Sequence, residues 1–136
     1  LFSSSHIHSN HRILLIDSIG QLAACYQYAD FALIGGGFKQ PGIHNTLEAA
    51  VYGIPIFFGP NYEKFAEAIE LVKVGAAFSL KNTQDAGKQL AEQLQYFLAN
   101  NPARVEAGDA ARRYVLSQKG ATEKILKFIA NKRYLS

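Results

Sequence analysis

Apolar residues along this chain fall into short continuous runs separated by stretches with helical spacing, and that alternation points to an architecture. The run "RILLID" (12–17) is short, β-branched and closed by an acid; "FALIGGG" (31–37) repeats the shape and ends in glycines. Both read as buried strands. Between them, "SIGQLAACYQYA" sets Ser18 three residues before Gln21, a capping-box spacing, with Leu22, Ala23 and Tyr26 following at helical intervals. The pattern continues with "HNTLEAAVYG", a helix stopped by Gly53, and "IPIFFG", a strand with Pro55 at its start. "YEKFAEAIELVKVG" is a helix ended by Gly75, and "AAFSL" is a fourth strand. A helix over 82–101 then places Leu90, Leu94, Phe97 and Leu98 on one face, with Asn82 and Asp85 at cap and third position. Pro102 opens another helix that runs to Gln118. Beyond a break at Gly120, a last helix puts Ile125, Leu126 and Ile129 on one stripe, facing the core.

Strands alternating with helices predict an α/β fold: a Rossmann-like parallel sheet with helices on both faces, followed by an all-helical C-terminal tail. Parallel neighbours require crossovers, and here the crossovers are helices. Four strands are fewer than the roughly five or six of a complete doubly wound sheet. The chain starts at Leu1 and contains no methionine, so it reads as part of something longer, a single domain over 1–136 with residues 1–11 loose.

Composition changes this picture little. At 136 residues and 49% hydrophobic the chain can bury one core. No apolar run approaches the roughly 18–20 residues of a membrane-spanning helix, and the first residues lack the pattern of a signal peptide, so a soluble chain is expected. The single cysteine, Cys25, cannot form an internal disulfide and reads as a small buried hydrophobe. The net charge of +3 is unevenly spread: residues 104–136 hold eight Lys or Arg against three acids. Such a tail suits phosphates or an anionic membrane surface, and equally a solvated helix face. Its few aromatics argue against nucleic acid as a partner.

The candidate chemistry lies after the second predicted strand. In open parallel sheets, ligands bind beyond the carboxyl ends of the strands, where loops enter helices. Gly35, Gly36 and Gly37 occupy that place, and the helix entered at Asn45 or Thr46 aims its positive dipole end at the same spot. An anion such as a phosphate is the expected guest. The spacing matches neither G-x-G-x-x-G nor the P-loop. His44 reads either as a donor to that anion or as a loop histidine bonded to backbone. Asn45 reads as a helix cap, with Glu48 completing a capping-box-like pattern, or as a ligand contact. A carboxylate in the first turn repels phosphate, so a ligand of Glu48 is expected to offer a hydroxyl pair such as a ribose diol. The second loop, "GPNYEKF" (59–65), has Asn61 as cap and borders the same edge; Lys39 reads as an anion partner or a plain surface lysine.

Taken together, "LLIDSIGQLAACYQYADFALIGGGF" and "GIHNTLEAAVYGIPIFFGPNYEKFAEA" closely resemble the C-terminal nucleotide-binding domain of bacterial 3-deoxy-D-manno-octulosonic acid (Kdo) transferases, enzymes of the two-domain GT-B fold. The resemblance runs from about residue 12 to residue 80, with a compatible helical tail to about residue 130. It implies an inverting glycosyltransferase, metal-independent in its chemistry and without a cofactor, that moves Kdo from CMP-Kdo onto a lipid A precursor at the cytoplasmic face of the inner membrane. By that analogy Gly35 to Gly37, His44, Asn45 and Thr46 would hold the donor's phosphate and sugar acid, and Glu48 the cytidine ribose. The turn containing Ser18 and Gly20 would border the nucleotide, with Asn61 closing the pocket. The family commonly has Glu where this chain has Gln21, and Gly-Gly-His-Asn where it has Gly42-Ile43-His44-Asn45. Its general base belongs to an N-terminal domain that meets the acceptor, so the resemblance implies no catalytic residue within these 136 positions. Two rivals remain open: a GT-B transferase using a UDP-sugar, and a non-catalytic module that binds a nucleotide or anion.

Overall fold

The computed structural model describes residues 12–17, 19–81 and 84–131. At its centre are three parallel strands, β1 (Ala32–Leu33), β2 (Ile56–Phe58) and β3 (Ala77–Ser79), in the spatial order β1-β2-β3. Ala32 lies opposite Ile56 and Leu33 opposite Phe57, while Phe57 faces Phe78 across the second ladder. A one-turn helix α1 (Leu22–Cys25) leads through a 3-10 turn (Tyr26–Tyr28) into β1. The crossovers are α2 (Leu47–Ala50) and α3 (Ala66–Lys73), and the chain finishes with α4 (Ala86–Ala99), α5 (Asn101–Ser117) and α6 (Ala121–Asn131).

β2 is the middle strand, and all three of its residues are buried, as expected where both sheet faces are covered. Side chains alternate, so Ile56 and Phe58 join one core with Ile34, Ala49, Ala50 and Leu71, whereas Phe57 joins another with Phe97 and Ala107. α2 and α3 pack into the first core and α4 into the second; α5 contributes Ala110 and Ala111 to the first and Ala107 to the second. The second core is aromatic: the Phe57 and Phe78 rings lie 5.6 Å apart, and Phe78 meets Phe97 edge-on at 5.1 Å.

Several boundaries follow local chemistry. The Asn100 side chain accepts from the Ala103 amide at 3.2 Å and Pro102 sits in the first turn, so α5 begins where the sequence predicts. Gly75, at φ +76°, ends α3.

Other expectations are corrected. Residues 12–17 form no strand, and Ile13 and Leu15 are 87% and 86% exposed. A parallel strand needs layers on both faces, and α1 is too short to supply one. Among the described residues the sheet accordingly has three strands rather than four. α1 starts at Leu22 with Gln21 before it and no side-chain cap; Ser18, Asn82 and residues 1–11 lie outside the described residues. Asp85 precedes α4 instead of occupying its third position, and Leu98 is exposed, leaving Leu90, Leu94 and Phe97 as the inner face. Ile125 and Leu126 are also exposed, so α6 does not turn its apolar stripe to the core. Cys25 is only partly buried.

Candidate functional site

The site is built where β1 ends. Ile34 still donates to the Phe57 carbonyl at 2.8 Å, then the chain runs out through the glycines and returns. The two limbs meet as an antiparallel bridge between Gly36 and Ile43, and the His44 amide donates to the Gly35 carbonyl at 3.0 Å. Gly36 has φ +80°, and a Cβ built on it would run into the Gly42 carbonyl oxygen. At Gly37, a Cβ would lie 2.7 Å from Ile43 Cγ2 and 2.9 Å from the Gly59 nitrogen. The Asn61 amide donates to the Gly37 carbonyl at 2.8 Å, tying the second carboxyl-edge loop to the first. What a side chain at Gly36 or Gly37 would displace is therefore the protein's own backbone. The glycines let two loops close on each other and so hold the strand that returns to His44.

The returning strand delivers His44, Asn45 and Glu48 to one rim. Asn45 Oδ1 accepts from the Leu47 amide at 3.0 Å, and Asn45 Nδ2 donates to Glu48 Oε1 at 3.0 Å. The expected capping box thus closes between side chains, Glu48 taking the Asn45 side-chain amide. α2 is a single turn, so little macrodipole stands behind this rim, and the predicted dipole contribution shrinks accordingly. His44 and Asn45 are exposed and Glu48 is half-buried.

Between this rim and α1 lies a cleft of about 390 Å³. Its lining combines Gly35, His44, Asn45 and Glu48 with Leu22, Tyr26, Leu33 and Ile34. The Tyr26 ring packs against Tyr52, with centroids 6.4 Å apart and planes at 40°. Burial first, and the Glu48 carboxylate second, push the Tyr26 phenol above the ordinary tyrosine range.

Four of the predicted site residues therefore meet in one cleft, and the other described ones stand apart from its lining. Gly36 and Gly37 support the loop from behind. Thr46 is fully buried, and its Oγ1 has no hydrogen-bond partner among the described residues. Asn61 lines a separate recess of about 170 Å³ with Gln40, Pro41, Pro60, Glu63 and Lys64. Gly20 is in an exposed turn at φ +85°, Lys39 is exposed on the glycine loop, and Ser18 lies outside the described residues. Sequence reasoning gave Tyr26 only an apolar helical position. Its placement on the helix that leads into the glycine strand was the available clue. Among the described residues, no group of three or more His, Cys, Asp or Glu is arranged to hold a metal, and no helix is long and apolar enough to cross a membrane.

A parallel sheet clothed by helices on both faces, with a cleft at its carboxyl edge, defines a Rossmann-like domain. No family model matches the chain. It is 30% identical over 121 residues to the 3-deoxy-D-manno-octulosonic acid transferase of Haemophilus influenzae, a match covering 88% of this chain and 28% of the relative. With the enzyme of that name from Bordetella pertussis it shares 35% identity over 116 residues, covering 84% of this chain and 26% of the relative. Among solved structures it matches the C-terminal CMP-Kdo binding domain of WaaA from Acinetobacter baumannii, with a TM-score of 0.62 and 28% identity, covering 74% of this chain and 51% of that one. The chain is thus similar to Kdo transferases, and its fold is that of the C-terminal CMP-Kdo binding domain it matches. It spans about a quarter of the length of these curated relatives.

Proposed function

We propose that this chain is the donor-binding part of an inverting Kdo transferase and that the cleft at the end of β1 holds CMP-Kdo. The observation that carries the reading is the placement of Glu48 beside Gly35, His44 and Asn45 in one carboxyl-edge cleft of a fold that matches a CMP-Kdo binding domain. His44 and Asn45 present donors suited to a phosphate or a sugar carboxylate. Glu48, an acceptor held in place by Asn45, suits the ribose hydroxyls. Gly36, Gly37 and Asn61 act by bracing the loop, and Gly20 belongs to the turn that would border the nucleotide.

Transfer to a lipid A precursor at the cytoplasmic face of the inner membrane is assigned to the whole protein. The base that takes the acceptor's proton would come from the part that this chain does not span, so the chain binds donor and transfers nothing by itself. Membrane contact is assigned to α6, which exposes Ile125 and Leu126 between Lys124 and Lys127, the make-up of a helix lying on an anionic surface. Flotation with phosphatidylglycerol vesicles checks that assignment: a chain that stays at the bottom of the gradient removes it.

The donor site is tested by calorimetric titration with CMP and UMP, on the native chain and on Glu48→Ala. The expected result is a preference for CMP, with binding lost in the variant. Equal or stronger binding of UMP favours a UDP-sugar transferase, and a folded chain that binds neither nucleotide overturns the donor site.

A further inference from the structure

Tyr26, in the 3-10 turn, and Glu48, in α2, line the same cleft, and no hydrogen bond joins them. The Tyr26 hydroxyl has no hydrogen-bond partner among the described residues, although its ring is held by Tyr52 and by the core beside it. One Glu48 oxygen accepts from Asn45, which orients the carboxylate and leaves its second oxygen available. The cleft thus carries two fixed groups of opposite sense, a phenol that donates and a carboxylate that only accepts. A phosphate would satisfy the phenol and be repelled by Glu48. An amino group of a base would satisfy Glu48 and leave the phenol's proton without an acceptor. Two adjacent hydroxyls satisfy both, one accepting and the other donating.

Resting on the donor-site reading above, we infer that Tyr26 is a specificity-determining residue that reads the ribose together with Glu48. The Tyr26 hydroxyl donates to one member of the 2′,3′-diol, and the other member donates to Glu48. The raised phenol pKa keeps Tyr26 a protonated donor throughout the neutral range. Each contact is one hydrogen bond, so removing the phenol hydroxyl weakens CMP about five- to tenfold.

The test is a mutant cycle on this chain, titrating CMP, 2′-deoxy-CMP and 3′-deoxy-CMP against the native protein and Tyr26→Phe. Phenylalanine keeps the ring against Tyr52, and a thermal melt verifies that the fold is retained. The expected result is a loss of about five- to tenfold for CMP and for one deoxynucleotide, with no loss for the deoxynucleotide lacking the hydroxyl that Tyr26 reads. Unchanged CMP affinity in Tyr26→Phe overturns the inference. An equal loss for all three ligands does so too, since it reports a change in the ring's packing; in both cases the donor site stands. A folded native chain that binds no CMP overturns the donor-site reading and this inference with it.

Discussion

Gly36 and Gly75 form a matched pair for asking what the glycine loop requires. Their φ values are +80° and +76°, so alanine at either position suffers nearly the same backbone strain. A left-handed conformation costs a residue with a Cβ about 1–2 kcal/mol. At Gly75 nothing lies within 4 Å of the added Cβ, so Gly75→Ala is expected to cost that amount and no more. At Gly36 the Cβ runs into the Gly42 carbonyl oxygen and lies 3.1 Å from Ile43 Cα, both backbone, so the return strand must move. Overpacking of this kind adds about 1–3 kcal/mol. Urea unfolding of the two variants measures the difference directly. With a slope of about 2 kcal/mol per M, the midpoint of Gly36→Ala is expected about 0.5–1.5 M below that of Gly75→Ala. CMP affinity is expected to fall only in Gly36→Ala, because His44 follows directly on the Gly42–Ile43 segment that the added Cβ would displace. Equal midpoints with unchanged CMP binding would refute the claim that Gly36 is needed for the approach of one backbone to another.

The remaining predictions concern the core and the helices. Phe57 is fully buried among Phe31, Phe78 and Phe97, so Phe57→Ala is expected to cost about 3–5 kcal/mol, measured by chemical denaturation. Gly87 in α4 has open space around its added Cβ, and Gly87→Ala should stabilise by about 0.5–1 kcal/mol. In α5 the same change at Gly108 drives a Cβ into the Gly53 carbonyl and should destabilise; opposite signs of the two melting shifts are the check. Thr46→Val removes a buried hydroxyl without a described partner while keeping its shape. It should raise stability by about 1 kcal/mol in denaturation and leave CMP affinity unchanged.

The elements legible in the sequence were those written in short-range periodicity. The run 56–58, bounded by Pro55 and Gly59, read as a strand, and α4 carried Leu90, Leu94 and Phe97 at helical intervals. Pro102 announced the start of α5 within a residue. These features depend on neighbours a few positions away, which is why one chain without relatives suffices to read them. For the site, the sequence placed Gly35, His44, Asn45 and Glu48 at a carboxyl edge, because a strand, a glycine loop and a helix start in that order define one.

Tertiary structure decided what those residues touch. Residues 12–17 carry the same apolar signature as β2, yet pairing requires covering layers that a local run cannot specify, and the segment remains exposed. Gly36 and Gly37 read as places where a ligand approaches backbone, and their nearest neighbours proved to be Gly42, Ile43 and Gly59. Thr46, polar and next to the rim, went inside; Tyr26, read as an apolar helical position, reached the cleft that Glu48 also lines. Glycine states that something comes close, and tyrosine that one end of a ring is polar. The closure of loops far apart in sequence determines which partner each of them meets.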